Sequence, residues 1–263
     1  MHYRPLGKTG LKVSEIGYGA WGLGRREWIG ADDKESLRSL NRAIDLGVNF
    51  LDTALAYGEG HSEGLIGRVL KERREEVYVA TKVPPKNRRW PAPEDVPVSQ
   101  TYPGDYIVEC CEKSLKNLGR DHVDVLQLHT WQDDFLDQDG WQDALLSLKK
   151  SGKARLLGVS VNDHDPASAL RAVRSGLFDT FQIIYNIFDQ SPDDEFLPAG
   201  RGSTATLTAP RRTLRVLDLD RRELAVVTPL VALIILLGVY PQPVLNVIEP
   251  AVSATMSDLG VTD

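Results

Sequence analysis

The sequence predicts an α/β protein of (β/α)8-barrel type, with about six strand–helix units behind an N-terminal β-hairpin. Three observations predict it. Short apolar strands alternate with amphipathic helices at steps of roughly thirty residues, as βαβ units and a parallel sheet require. Asp52, Lys82 and His129 stand at or just after the C-terminal ends of strands, where such barrels carry their chemistry. The fingerprint of the competing doubly wound sheet is missing. Gly17, Gly19, Gly22 and Gly24 follow the first strand, but Trp21 crowds the turn and no ribose-binding acid stands about twenty residues on.

Tyr3 to Val13 holds Gly7-Lys-Thr-Gly10 between apolar stretches, which reads as a hairpin. A phosphate-binding loop would need a glycine five residues before Gly7. Position 2 is histidine, so the hairpin turn is preferred. Val13 to Trp21 is expected as a strand ending in glycines. Asp32 and Asp33 precede a helix from Glu35 to Leu46, with Leu37, Leu40, Ala43 and Ile44 on one face and Gly47 as its stop. Strand 48–51 leads to Asp52, a loop containing Tyr57, and a helix over 62–73. Strand 77–81 ends at Lys82. Residues 83–103 form a loop with six prolines, long enough to suggest function or disorder. Asp105 offers an N-cap for a helix to Leu118. Strand 123–128 ends at His129, and a helix follows near 141–150. Strand 154–159 ends at Ser160. Helix 166–175 has Pro166 at its start and Gly176 after it. Strand 180–184 ends at Tyr185-Asn186.

The bulk composition bounds the function classes. At 263 residues the chain allows one large α/β domain or two small ones, with 42% hydrophobic and 26% charged residues. A formal charge of -6 argues against a nucleic-acid surface. Cys110 and Cys111 are adjacent and match no metal spacing, so no metal is expected, and a reducing, cytoplasmic compartment is. The start, Met1-His-Tyr-Arg-Pro, has no apolar run, so no signal peptide is expected.

Asp52, Tyr57, Lys82 and His129 form a candidate catalytic set. A free tyrosine has a pKa near ~10 and is a poor acid at neutral pH. An ammonium within reach favours the phenolate, and a carboxylate beside that ammonium compensates its burial. A histidine beyond can orient a carbonyl or share the proton. Such a set suits protonation of an alkoxide while a cofactor delivers hydride to the carbonyl carbon. Each residue also has an ordinary role: a turn cap, loop packing, a solvated strand end or a hydrogen-bonded core histidine. Their arrival at three successive strand ends favours the functional reading. Trp21, Trp90 and Trp131 lie near strand ends one and four and in the proline-rich loop. They could wall a substrate pocket or simply pack.

The run Gly47 to Gly67, GVNFLDTALAYGEGHSEGLIG, resembles a signature of the aldo-keto reductase family. Lys82 after VAT, His129 after LQL, the GVSVN run ending at Asn162 and FQIIYN ending at Asn186 follow the family's order and spacing. The resemblance covers residues 3 to about 198. It implies a (β/α)8 barrel whose bottom is closed by the hairpin, and NADPH-dependent reduction of small aldehydes or ketones, with NAD as the alternative cofactor. It implies Tyr57 as general acid, Lys82 as the group that lowers its pKa, Asp52 as the partner of Lys82, and His129 as the group that orients the carbonyl. It implies Ser160, Asn162 and Gln182 around the nicotinamide carboxamide.

After Glu195 the resemblance implies further strands and a loop gripping the cofactor phosphates. The chain instead reads Gly200-Arg-Gly-Ser-Thr-Ala-Thr, then an arginine-rich stretch with Arg211, Arg212, Arg215, Arg221 and Arg222. Leu224 to Ile248 then holds no charged residue and is long enough to span a bilayer, the arginines favouring a cytoplasmic flank. Residues 215–263 resemble the C-terminus of the membrane subunit M of NADH-quinone oxidoreductase. The domain reading is a truncated barrel over 1–198, a basic linker over 199–222, and a hydrophobic helix and tail over 223–263. Together they read as a chimera, with membrane association through 224–248 as the alternative location and, as the alternative function, a defective chimera or membrane-associated respiratory-complex fragment without reductase activity.

Overall fold

A computed structural model describes residues 1–24, 32–91, 93 and 95–201. The hydrophobic helix and tail expected over 223–263, and the linker from 202 onward, lie outside the described residues.

The expected hairpin is present. β1 (Tyr3–Pro5) and β2 (Lys12–Ser14) pair antiparallel, with Tyr3 opposite Ser14. Its tip is closed by Leu6 N–H to the Leu11 carbonyl at 2.7 Å and by the Thr9 hydroxyl to the Leu6 carbonyl at 2.6 Å. The single strand expected over 13–21 is divided. Ser14 belongs to the hairpin, and its hydroxyl turns to the Ile16 carbonyl. The chain then bends into β3 (Tyr18–Gly19) and a 3-10 turn over Trp21–Gly24. Glycines at 17, 19 and 22 favour this short, broken geometry over a continuous strand.

Six strands form one parallel sheet in sequence order. After β3 come β4 (Phe50–Asp52), β5 (Tyr78–Val83), β6 (Val123–His129), β7 (Ala154–Ser160) and β8 (Thr180–Gln182). The helices between them are α1 (Asp33–Asp45), α2 (His61–Glu72), α3 (Val98–Thr101), α4 (Gly104–Leu118), α5 (Gln142–Lys150) and α6 (Leu170–Ser175), and α7 (Phe196–Arg201) follows β8. This is an α/β fold of (β/α)8 type, with six parallel strands in its main sheet among the described residues. Strand β8 ends at Gln182, two residues short of the expected Ile184.

The two-residue period of the strands sorts their side chains. Leu51, Val79, Leu126, Leu157 and Val159 are buried in the large core that the helices also line. Phe50, Tyr78, Ala80, Val125 and Leu156 instead meet Leu6, Leu11 and Val13 of the hairpin in a second, smaller cluster. The hairpin therefore plugs the inner face at the N-terminal ends of the strands. Each buried Leu or Val contributes about 1.5–3 kcal/mol relative to exposure, so both faces hold the strands in register.

Helix ends follow local chemistry. Asp32 caps α1 by accepting from Glu35 N–H at 3.2 Å. α4 starts one residue before the expected cap: Pro103 takes the cap position and Asp105 lies in the first turn. The acid there still suits the positive helix end. Cys110 and Cys111 are buried on α4, and burial pushes their thiols up to about 11 and about 12, so they are poor nucleophiles. Within the proline-rich loop, α3 forms and Lys86 N–H donates to the Thr101 carbonyl at 2.9 Å. Among the described residues no helix is long and apolar enough to cross a membrane.

Candidate active site

The inward rows of the strands end in polar residues. Asp52 pairs in register with Gly19 and Ala80, Lys82 with Gln127, and His129 with Ser160, which pairs with Gln182. Five successive strands thus deliver a polar side chain to their C-terminal ends. Four of the five, Lys82, His129, Ser160 and Gln182, line a cleft of about 670 Å³ together with Tyr57 and Trp90, with Trp21 at its side, and Asp52 reaches it only through Lys82 and Gln182.

Lys82 anchors the floor. Its side chain is fully buried, and Nζ donates to Asp52 Oδ1 at 2.7 Å and to the Thr53 carbonyl at 2.8 Å. A buried ammonium needs such acceptors, because leaving it unpaired costs several kcal/mol. The second Asp52 oxygen accepts Gln182 Nε2 at 3.0 Å. Nζ lies 5.3 Å from the centre of the Tyr57 ring. The Tyr57 ring meets His129 edge to face, with centroids 5.9 Å apart.

Tyr57 is carried by the loop after β4, and glycines bring that loop close. Gly58 has φ +63, and a Cβ there would lie 2.3 Å from the Gly24 carbonyl oxygen. Only glycine lets the 3-10 turn carrying Trp21 approach so closely. Behind the loop, Ser62 donates to the Ala20 carbonyl at 2.9 Å, so Thr53 is the donor in its 2.9 Å bond to Ser62. These buried hydroxyls tie the exits of β3 and β4 to α2.

His129 is held neutral. Burial, and secondly the Lys82 charge, push its pKa down to about 3. Nδ1 is buried with no hydrogen-bond partner, so Nε2 is the nitrogen with access to the cleft. Trp90 packs edge-on to the imidazole, with centroids 5.9 Å apart, and its Nε1 donates to the His129 carbonyl at 3.1 Å.

Two expected residues have other positions. Asn162 is buried and is not among the cleft-lining residues. Its Oδ1 accepts from the Thr130 hydroxyl and from Trp131 N–H at 3.2 Å, and its Nδ2 donates to the Trp131 carbonyl at 2.7 Å. It clamps the turn after β6, where Thr130 has φ +126. One amide N–H remains beyond these three bonds. Trp131 is fully buried, packed against Phe135, Trp141 and Phe178 at centroid distances of 5.6, 5.4 and 5.1 Å. The expectation that it walls the pocket is corrected: of the three tryptophans, Trp21 and Trp90 line the cleft, and Trp131 builds the outer core.

Two further residues, Glu63 and Gln127, support the site from behind. Glu63 on α2 is fully buried, accepting from the Thr81 hydroxyl at 2.6 Å and Asn117 Nδ2 at 2.8 Å. Burial raises its carboxyl pKa, against the lowering effect of those bonds. It braces β5 one residue before Lys82. Gln127 lies on the inward row of β6, and its Nε2 donates to Gln182 Oε1 at 3.1 Å.

A model of the aldo/keto reductase family matches residues 15–201. The aldo-keto reductase YhdN of Bacillus subtilis (strain 168) is 33% identical over 210 residues, covering 78% of this chain and 60% of that protein. The NADH-specific methylglyoxal reductase of Escherichia coli (strain K12) is 31% identical over 207 residues, covering 75% of this chain and 63% of that protein. Among solved structures, the holo form of aldo-keto reductase AKR11C1 from Bacillus halodurans superposes with a TM-score of 0.59 at 29% identity, covering 76% of this chain and 64% of that one. The chain thus spans less than two thirds of the length of each.

Proposed function

Because this chain belongs to the aldo/keto reductase family, we propose that its cleft reduces an aldehyde or ketone to an alcohol using a nicotinamide cofactor. The observation that carries the reading is the Lys82 ammonium, fixed by Asp52 and set 5.3 Å from the Tyr57 ring centre. A cation so placed favours the phenolate and makes Tyr57 a competent proton donor near neutral pH.

The residues present suit the cofactor's reactive end. Ser160 and Gln182 line the cleft with a hydroxyl and an amide, the donor and acceptor types that a carboxamide pairs with. When bound, a reduced nicotinamide supplies the hydride. Tyr57 gives its proton to the carbonyl oxygen as negative charge develops there. Neutral His129, through Nε2, holds that oxygen in place. Trp21 and Trp90, both partly exposed at the cleft, exclude water and wall the substrate. We assign NADPH as the cofactor, with NADH as the alternative.

The test is oxidation of each reduced nucleotide by the purified chain in the presence of a panel of simple aldehydes. Aldehyde-dependent oxidation supports the reading. A folded chain that neither binds nor oxidises either nucleotide overturns it. The uncharged run 224–248 with its preceding arginines supports one addition, attachment to a membrane. Retention in the membrane fraction through an alkaline carbonate wash supports it, and complete release contradicts it.

A further inference from the structure

Gln127 is a buried amide whose cost packing does not explain. It is 4% exposed, and its Oε1 has no hydrogen-bond partner. A half-satisfied amide in a core is less favourable than an apolar side chain of similar size. Yet its Nε2 begins a chain of directed bonds: Gln127 to Gln182 Oε1 at 3.1 Å, Gln182 to Asp52 Oδ2 at 3.0 Å, and Lys82 to Asp52 Oδ1 at 2.7 Å. The order is forced. An ionised carboxylate only accepts, so Gln182 turns its Nε2 toward Asp52. The Gln182 Oε1 that this leaves on the other side is met by a donor, and Gln127 supplies it.

The chain crosses a strand. Gln127 is on β6 and Gln182 on β8, with β7 between them. The β7 residue in register with Gln127 is Gly158, which also pairs with Thr180. A Cβ at position 158 would lie 3.0 Å from Gln127 Cγ and 2.4 Å from Thr180 Oγ1. A bare backbone at Gly158 is what leaves the amide its path across the inner face. In register on the other side, Gln127 is paired with Lys82.

We infer that Gln127 is a positioning residue for the reaction, acting through Gln182. By holding Gln182 Oε1 it fixes the rotation of that amide, whose terminal torsion is otherwise soft. Gln182 then keeps the second Asp52 oxygen occupied and presents its free N–H to the nicotinamide carboxamide. The inference rests on the reductase reading of the cleft. It also assigns the glycine at 158 to specificity of geometry rather than to a turn.

The experiment compares the wild-type chain with Gln127→Leu and, should that variant fail to fold, Gln127→Met. Nucleotide affinity is read by fluorescence titration, unfolding by denaturant, and turnover at saturating nucleotide. The expected result is an unfolding midpoint equal to or above wild type, nucleotide affinity weakened about tenfold, and kcat within about twofold. Gln127→Glu, which accepts where a donor is required, weakens binding further. Unchanged affinity in the folded variants, or a fall in stability with no change in affinity, overturns the inference. A folded wild-type chain that binds nucleotide but turns over no carbonyl overturns the reductase reading while leaving the affinity comparison to decide the role of Gln127.

Discussion

Lys82 Nζ donates to Asp52 Oδ1 at 2.7 Å, with the lysine side chain 1% exposed and the aspartate 20%. That asymmetry predicts unequal costs for breaking the pair. Asp52→Asn leaves a fully buried ammonium without its countercharge and is expected to lose about 3–5 kcal/mol of stability. Lys82→Met leaves a carboxylate that is partly solvated and still accepts from Gln182, for a loss of about 1–3 kcal/mol. Urea unfolding at neutral pH measures both. Equal losses, or the reverse order, contradict the assigned burial.

His129 predicts a pH dependence of stability. Its folded pKa is pushed down to about 3, below its ordinary value of 6.5. Above the ordinary value both folded and unfolded chains hold it neutral, so it contributes no pH dependence. As pH falls from 6.5 to 3 the unfolded chain takes up a proton that the folded chain refuses, and stability drops. The loss reaches on the order of 4 kcal/mol by pH 3. His129→Gln is expected to flatten the unfolding midpoint across that window. A variant as acid-sensitive as wild type would remove His129 from the explanation.

Asn162 holds Thr130 in a backbone conformation that non-glycine residues rarely adopt. Asn162→Ala removes three hydrogen bonds from the turn and is expected to cost about 2–4 kcal/mol. Asn162→Asp keeps the Oδ1 acceptor but sets a buried carboxylate oxygen against the Trp131 carbonyl, so it is expected to cost at least as much. Unfolding midpoints of the two variants check the order. An alanine variant as stable as wild type would show that the strained turn holds itself.

The sheet was legible because its strands are short, apolar and regularly spaced, and because Asp52, Lys82 and His129 mark their ends. The division of residues 13–21 was not, since the β period runs through Ser14 and Tyr18 although the chain bends between them. Trp131 follows His129 closely enough to suggest the pocket. Its neighbours Phe135, Trp141 and Phe178, which draw it into the outer core, are brought together only by the fold. Glu63 carries no mark in the sequence because its partners Thr81 and Asn117 are distant along the chain. Gln127 was hidden for the same reason: its meaning lies in Gln182, two strands away, and in the missing side chain of Gly158.

Tyr57→Phe tests the central claim most directly. The substitution removes one hydroxyl and leaves the ring that packs against His129 and lies near Lys82. With an aldehyde that the wild-type chain reduces, kcat is expected to fall about 10²–10⁴-fold while nucleotide affinity stays within about twofold. A Tyr57→Phe chain that reduces the aldehyde at the wild-type rate would contradict the assignment of Tyr57 as proton donor.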